Sequence, residues 1–192
     1  LASLKQEESE GHELGVEYVL GNRLHLEAVY FDQEVKNAIY FDLAGFSGYL
    51  QDIGASNSEG VELGIDLAMT DSLRLTSNYT FNETERPNGL QRLRRPEKLA
   101  NVGLFYSGRG DRLKLNAFYR ISQDSIDELN GTSVGLDDFQ VLDLSASYDV
   151  NDSFRIYTRV ENALDEDYQE VTGFFSPERA IYVGIKLNLS SP

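Results

Sequence analysis

Apolar and polar residues alternate along most of this chain, and a period of two predicts β-strands rather than helices. The last such segment, 180–189, places five apolar side chains on one face of an extended strand: Ile181, Val183, Ile185, Leu187 and Leu189. The opposite face carries Tyr182, Gly184, Lys186 and Asn188. A two-faced strand needs an apolar partner for one face, and either a soluble core or a lipid bilayer could provide it.

The same alternation predicts eight further strands, which begin near Gly11, Arg23, Tyr49, Leu73, Lys98, Leu113, Phe139 and Phe154. The third of these, from Tyr49, is expected to contain a bulge or kink in the glycine-bounded run 54–60. About nine strands result, without a helix of more than a turn or two and without a visible domain boundary. The sequence therefore predicts an all-β fold.

The connections between these strands alternate in length. Short turns are predicted at 21–22, 70–72, 107–111 and 149–153, and long polar connections at 42–48, 83–96, 123–137 and 162–178. An antiparallel up-and-down meander with this asymmetry has short turns at one rim and long loops at the other, as transmembrane β-barrels do. A surface meander with one dry face would explain the alternation of residues but not that of the loops.

The chemistry of the two strand faces agrees with a membrane barrel. A Lys or Arg at the bilayer midplane of a barrel strand costs about 2–4 kcal/mol, and none of the predicted apolar faces carries a charged residue. Tyrosines are predicted near strand ends on these faces, where an interfacial girdle would lie: Tyr18, Tyr30, Tyr79, Tyr106, Tyr119 and Tyr148. The fold predicted is therefore an antiparallel up-and-down transmembrane β-barrel segment.

Composition narrows the functional classes. The 192 residues carry 32 acidic and 17 basic side chains, a formal charge of -15, which argues against a nucleic-acid partner. The absence of cysteine excludes disulfides and thiolate-ligated metals. The chain opens without the pattern of a signal peptide, so we expect the N-terminus of an exported protein to lie outside this sequence.

Three stretches carry a family resemblance. They are GVEL at Gly60–Leu63, RRP at Arg94–Pro96 with LANV at 99–102, and VENALDEDY at 160–168 with PER at 177–179. With them the chain resembles the C-terminal part of a TonB-dependent outer-membrane receptor, nearest to cobalamin and ferric-siderophore receptors. The tail motif of this resemblance comprises Asn162, Leu164, Asp165, Tyr168, Pro177 and Arg179. Glu178 replaces a usual glycine, and Leu189 replaces a usual terminal aromatic residue.

The resemblance implies that residues 1–192 form about nine strands of a 22-stranded barrel, with the plug domain and the N-terminal strands absent. It implies active transport of a scarce nutrient, a metal chelate or a corrinoid, across the bacterial outer membrane. The implied partners are a TonB-type energy-coupling protein, bound through a TonB box in the absent N-terminal part, the barrel-assembly machinery, and outer-membrane lipid. No cofactor, metal or catalytic residue is implied, so the protein is not expected to be an enzyme.

On this interpretation five basic residues are the best lumen-facing candidates: Arg74, Lys114, Arg120, Arg155 and Arg159. Two alternatives stay open. The first is a soluble all-β domain that binds a glycan or a protein with one sheet face. The second is an outer-membrane hydrolase, which would need His25 as a base, although the spacing places no serine beside it.

Overall fold

The computed structural model describes residues 4–41, 46–52 and 54–188, and every regular element in these ranges is a β-strand. Among the described residues, no helix has the length and apolarity to cross a membrane. The predicted all-β fold class is confirmed.

The strands, in chain order, are β1 (Glu8–Leu20), β2 (Leu24–Lys36), β3 (Ile39–Phe41), β4 (Tyr49–Gln51), β5 (Ala55–Ala68), β6 (Leu73–Glu85), β7 (Lys98–Gly108), β8 (Leu113–Gln123), β9 (Ser125–Leu129), β10 (Thr132–Leu136), β11 (Phe139–Asn151), β12 (Phe154–Glu161), β13 (Gln169–Val171), β14 (Phe174–Phe175) and β15 (Ala180–Leu187). Nine of them form one antiparallel sheet in the order β1-β2-β5-β6-β7-β8-β11-β12-β15. Each long strand pairs with the next one along the chain, so the predicted nine-stranded meander is confirmed.

Connections of two kinds alternate around this sheet, as predicted. Tight turns join β1 to β2, β5 to β6, β7 to β8 and β11 to β12, and we call this edge the short-turn rim. The opposite edge, the long-loop rim, carries the connections 37–54, 86–97, 124–138 and 162–179. The long connections contain the three small hairpins β3–β4, β9–β10 and β13–β14.

The strand register collects the predicted apolar positions on one face of the sheet. Ala28 pairs with Val16 on one side and with Leu63 on the other. At the far edge, Ile156 pairs with Tyr148 and with Ile185. We call this the apolar face, and the opposite one the polar face. Side chains on the apolar face are widely exposed, up to 75% for Val183, so this face requires an apolar environment outside the described chain.

The third predicted strand is wrong at its start. Tyr49 begins β4, which pairs with β3 in a separate hairpin, and the sheet strand β5 starts only at Ala55. The expected bulge at 54–60 is also absent, because β5 pairs with β2 without a break from Ala55 to Leu67. Serine and asparagine in this run continue the strand on the long-loop side. The closing strand ends at Leu187, and Leu189 lies outside the described residues.

The sheet strands extend farther towards the long-loop rim than the apolar pattern does. Tyr30 lies in the middle of β2, and beyond it the same face continues with Asp32 and Glu34. The prediction that Tyr30, like Tyr79 and Tyr119, lies near a strand end is therefore wrong, since these strands continue past the apolar band. Tyr30 instead marks the edge of that band, where its hydroxyl donates to Glu59 Oε1 at 2.7 Å.

Large rings lie over glycines on neighbouring strands of the polar face. Phe31 pairs with Gly60, and a Cβ at Gly60 would overlap both the Phe31 ring and the Phe81 carbonyl oxygen. Tyr157 pairs with Gly184 in the same way. These close approaches require glycine and fix the orientation of each ring.

Candidate functional site beneath the long loops

The tail motif forms a compact hydrogen-bonded cluster, the tail-motif cluster, where β12 leads into connection 162–179. Asn162 is 4% exposed, and its Nδ2 donates to the carbonyl oxygens of Glu166 (2.8 Å) and Pro177 (3.2 Å). Its Oδ1 accepts from the Glu166 amide at 2.9 Å, and its own amide donates to Asp143 Oδ1 at 2.8 Å. The buried side chain of Asn162 therefore joins both ends of this long connection, and the backbone amide of the same residue ties them to β11.

Two other motif residues close the same loop from the outside. Asp165 Oδ1 accepts from the Arg179 amide at 3.0 Å, and the Arg179 guanidinium lies 3.5 Å from Asp165 Oδ2. Asp165 and Asn162 have φ values of 60° and 48°, a region in which Asp and Asn are the most tolerated side chains after glycine. Leu164, by contrast, is 47% exposed.

Tyr168 belongs to an aromatic and cationic stack on the polar face. Its ring stacks on that of Phe139, with 4.3 Å between centroids and 28° between planes. The Arg120 guanidinium lies 5.1 Å from the Phe139 centroid and 5.8 Å from that of Tyr168, and it donates to Glu170 Oε1 at 2.8 Å. Phe139 is 7% exposed, so the stack is one of the few well-packed places in the described chain.

A second buried group joins three of the long connections. Asp127, which lies in β9 near the start of connection 124–138, is fully buried. Its Oδ1 accepts from Arg94 Nε at 2.9 Å and its Oδ2 from the Thr172 amide at 2.7 Å. Arg94 has φ 58° and its amide donates to the Ile126 carbonyl at 2.7 Å. This Asp127 clasp holds connections 86–97, 124–138 and 162–179 together.

The hydrogen-bond partners of Asp127 stabilise its ionised form. Burial raises the pKa of this carboxyl, but the Thr172 and Glu128 amides and the Arg94 guanidinium outweigh burial and hold the pKa below its ordinary value. A carboxylate in this position accepts hydrogen bonds from several chain segments at once. The clasp is therefore ionised at neutral pH.

A cavity of about 320 Å³ opens on the polar face beneath these loops. Its lining mixes apolar, amide and charged groups: Asn101, Phe118, Arg120, Val141, Asp143, Glu161, Asn162, Tyr168 and Pro177. The tail-motif cluster and the stack of Tyr168, Phe139 and Arg120 both border this cavity. Such a mixed, half-open cavity suits a small polar ligand better than a purely apolar one. Among the described residues, no cluster of three or more carboxylate or imidazole groups is arranged to hold a metal ion.

The five basic candidates all lie on the polar face, but only Arg120 lines this cavity. Arg74 and Arg155, near the short-turn rim, make two-point ion pairs with Asp66 and Asp149 respectively. Arg159 lies 3.1 Å from Glu161 Oε1 and stacks over Tyr182. Lys114 is exposed. The predicted set is therefore spread along the wall, and its role in lining a lumen stays a prediction.

Charge on the polar face differs between the two halves of the sheet. The N-terminal half, β1, β2, β5 and β6, carries the carboxylates Glu13, Glu17, Glu27, Glu62 and Asp66, together with Arg74, which pairs with Asp66. The C-terminal half, β7, β8, β11, β12 and β15, carries the cations Lys114, Arg120, Arg155, Arg159 and Lys186, with the acids Asp143, Asp149 and Glu161 among them. His25 lies in the acidic half, 2.8 Å from Glu17.

Sequence reasoning missed Asp127, because it treated 123–137 as a long polar connection without a hairpin. It placed Phe139 at the start of a strand but did not predict the stack that this ring forms with Tyr168 and Arg120. The signal that could have found the hairpin is Asn130-Gly131, which has positive φ at both residues and joins β9 to β10. The partnership of Asp127 with Arg94 and Thr172 spans 33 and 45 residues, and no local pattern reports it.

Comparison with known proteins agrees with this geometry. A model of the family described as TonB dependent receptor-like, beta-barrel matches residues 2–163. The vitamin B12 transporter BtuB of Vibrio cholerae is 25% identical over 196 aligned positions, which cover 95% of this chain and 30% of the transporter. The chain thus spans about 30% of the length of the curated relatives it matches. These relatives are transporters rather than enzymes.

Solved structures show the same fold. The pyoverdine receptor FpvA of Pseudomonas aeruginosa superposes with a TM-score of 0.80 at 19% identity, over 97% of this chain and 30% of the receptor. The ferric-catecholate import receptor Fiu of Escherichia coli superposes with a TM-score of 0.73 at 21% identity, over 96% of this chain and 28% of that receptor. The family resemblance of the sequence is confirmed: the chain belongs to the TonB-dependent receptor family, whose β-barrels lie in the bacterial outer membrane.

Proposed function

We propose that this chain forms the C-terminal sector of the barrel wall of a receptor that carries a scarce nutrient across the outer membrane. The observation that supports this most directly is the nine-stranded sheet, with one charge-free band and all long connections at one rim. β1 and β15 each have only one neighbour in the described sheet, so further strands of the same receptor would continue it on both sides.

In this proposal the polar face lines the lumen and the long-loop rim lies outside the cell. Arg74, Lys114, Arg120, Arg155 and Arg159 then face a water-filled interior or a plug domain supplied by the rest of the receptor. Substrate meets the wall first beneath the long loops, at the cavity beside Arg120 and Tyr168. The protein performs no chemistry on its substrate, because its work is binding and passage.

The substrate class proposed is a metal chelate or a corrinoid. Relatives named for vitamin B12 and for iron chelates support this class without choosing within it. Energy would come from a TonB-type coupling protein that engages a segment outside these residues, and the barrel-assembly machinery would insert the closing strands. Membership of the family is the support for both partners, and no contact within the described residues bears on them.

Uptake in cells tests the proposal. The full-length receptor is expressed in a strain that lacks its own outer-membrane receptors, and accumulation of labelled cobalamin and of labelled ferric siderophores is measured. We expect energised uptake of one class, abolished by a protonophore, and reduced uptake for Arg120→Gln compared with the rim variant Lys114→Gln. A receptor that takes up neither class, or whose uptake the protonophore leaves unchanged, contradicts the proposal.

A further inference from the structure

An apolar hollow of about 460 Å³ crosses the apolar face of the C-terminal half. Its floor consists of the small residues Ala117, Ala146 and Thr158 on three neighbouring strands. Its walls are the larger side chains Leu104, Tyr106, Leu115, Leu144 and Val160. Asn116 and Ser145 complete the lining, and the Asn116 side chain donates to Ser145 Oγ at 3.0 Å. In the register, Ala146 lies directly between Leu115 and Thr158, so the hollow runs across strands β7, β8, β11 and β12.

The floor of the hollow presents no unsatisfied polar group. The Thr158 hydroxyl donates to the Tyr182 carbonyl oxygen at 2.9 Å, so its methyl group is left for the floor. Because the apolar face of an outer-membrane barrel meets hydrocarbon, such a depression is filled by hydrocarbon rather than by water. If no hydrocarbon filled the hollow, the side chains that line it would lose dispersion contacts on that side.

One end of the hollow leads to a cationic turn at the short-turn rim. Tyr106 lines the hollow, and its ring leans over Gly108, where a Cβ would overlap it. The next residues form the turn with Arg109 and Arg112, both exposed and in no ion pair among the described residues. Asp111, the acid of this turn, accepts from Ser107 Oγ at 2.6 Å. Asp149, which Arg112 attracts electrostatically, is already held by a two-point ion pair with Arg155. The guanidinium groups of Arg109 and Arg112 are therefore the charges left at this end for a ligand.

We propose that the hollow and the adjacent turn form a retained phospholipid site. One acyl chain lies over Ala117, Ala146 and Thr158, and the phosphate meets Arg109 and Arg112 at the short-turn rim. The lipid belongs to the leaflet on that side, the Tyr106 hydroxyl lies between its chain and its headgroup, and the chain bridges β7 to β12. This inference goes beyond transport and depends only on the outer-membrane location.

Filling the hollow tests the acyl-chain part. The full-length receptor is purified in mild detergent, and bound phospholipid is quantified by native mass spectrometry and by extraction. Wild type is expected to retain about one phospholipid, and Ala146→Phe to retain about tenfold less, because the ring occupies the floor. Ala28→Phe places the same ring on the apolar face of β2, outside the hollow, and should retain as much as wild type. Ala117→Leu gives a smaller change should Ala146→Phe not fold.

The headgroup part has its own variant. The double variant Arg109→Gln and Arg112→Gln should lose its preference for phosphatidylglycerol over phosphatidylcholine when detergent-solubilised receptor is titrated with each lipid, while Lys186→Gln should not. Equal retention by wild type, Ala146→Phe and Ala28→Phe overturns the site. A dimer in wild type that Ala146→Phe dissociates, with no lipid bound, also overturns it and assigns the hollow to a second copy of the receptor.

Discussion

The two halves of the sheet share one topology but differ in how their long connections are held. In the C-terminal half, Asp127 and Asn162, both almost fully buried, tie three connections to each other and to the strands. In the N-terminal half, connection 37–54 is held mainly from outside the sheet, where the Gln51 side chain pairs with both the amide and the carbonyl of Lys5. Its aromatic residues Phe46 and Tyr49 remain 76% and 67% exposed.

The polar faces of the two halves also differ in how far their charged side chains are paired within the same half. Arginines of the C-terminal half pair with acids or stack on rings of the same half. In the N-terminal half, Glu17 lies directly opposite Glu27, and neither Glu13, Glu27 nor Glu62 forms an ion pair within the described ranges. Charges on the polar face of the C-terminal half are thus largely paired within that half, whereas the N-terminal half, apart from the Arg74–Asp66 and His25–Glu17 pairs, keeps carboxylates that are unpaired among the described residues.

Removal of the Asp127 carboxylate should have the largest effect, because it releases the long connections of the C-terminal half from one another. Asp127→Ala leaves the Thr172 and Glu128 amides without their acceptor and Arg94 without its partner, which costs about 2–4 kcal/mol. Hydrogen exchange of the receptor in detergent should show faster exchange across 86–97 and 162–179. Asp124→Asn, which removes the charge of the exposed pair with Lys98 and tolerates the φ of 56° at this position, is the control. Equal protection in both variants would show that the clasp does not hold the loops.

Asn162→Ala should be nearly as disruptive, at about 2–3 kcal/mol, because three side-chain hydrogen bonds in a buried site are lost. The expected readout is a lower temperature of the heat-induced mobility shift that folded barrels show on gels. Asn101→Ala, which removes one exposed hydrogen bond to Asn78, should shift this temperature far less. If Asn162→Ala melts like wild type, the tail motif has a role other than closing the loop.

Glycine substitutions probe the N-terminal half. Gly60→Ala should destabilise by about 1–3 kcal/mol, because the added Cβ overlaps the Phe31 ring and a carbonyl oxygen. Gly64→Ala on the same face meets Glu27 Cβ only at 3.6 Å, an ordinary contact, and should be almost neutral. The two variants are compared by urea-induced unfolding in lipid vesicles. Equal losses would show that the packing of Phe31 on Gly60 is not specific.

Acidification should loosen the Asp127 clasp through its carboxyl group. Because the folded-state pKa of Asp127 is lowered, its contribution to stability is complete above the ordinary carboxyl pKa of about 3.9 and is lost as the pH falls through the folded-state pKa. Protection of the Thr172 amide, corrected for intrinsic exchange, should therefore be constant from pH 7 to about pH 4 and fall below it. Asp127→Asn should lack this acid step, and a loss already near pH 6 would contradict the assignment.

The smallest effect is expected from Glu27→Gln. Removing one of two directly opposed carboxylates should stabilise the N-terminal half by at most about 0.5 kcal/mol, with a weaker effect at high salt. The same vesicle unfolding assay measures it. A clear loss of stability would mean instead that Glu27 meets a cation from the rest of the receptor.

The sheet was predictable from sequence because its information is local. The alternation that identifies β8 or β12 is visible in neighbouring residues alone, and glycine and aspartate identify a turn such as 107–111. The start of β5 was missed because Ser56 and Asn57 extend a strand past its apolar part. The loop clasp was out of reach, because Asp127 acquires its partners only when three distant connections come together. The tail motif was recognised, but the role of Asn162 became visible only in its hydrogen bonds.

Single-cysteine labelling along β5 tests the central claim, that one face meets lipid and the other an aqueous interior. This chain has no cysteine, so residues 61–67 can be replaced one at a time in the full-length receptor, after removal of any cysteine elsewhere. In intact outer membranes, a membrane-soluble maleimide should label the cysteines at 61, 63, 65 and 67, and a water-soluble maleimide those at 62, 64 and 66. Labelling of both sets by the water-soluble reagent, with no period of two, would contradict the account.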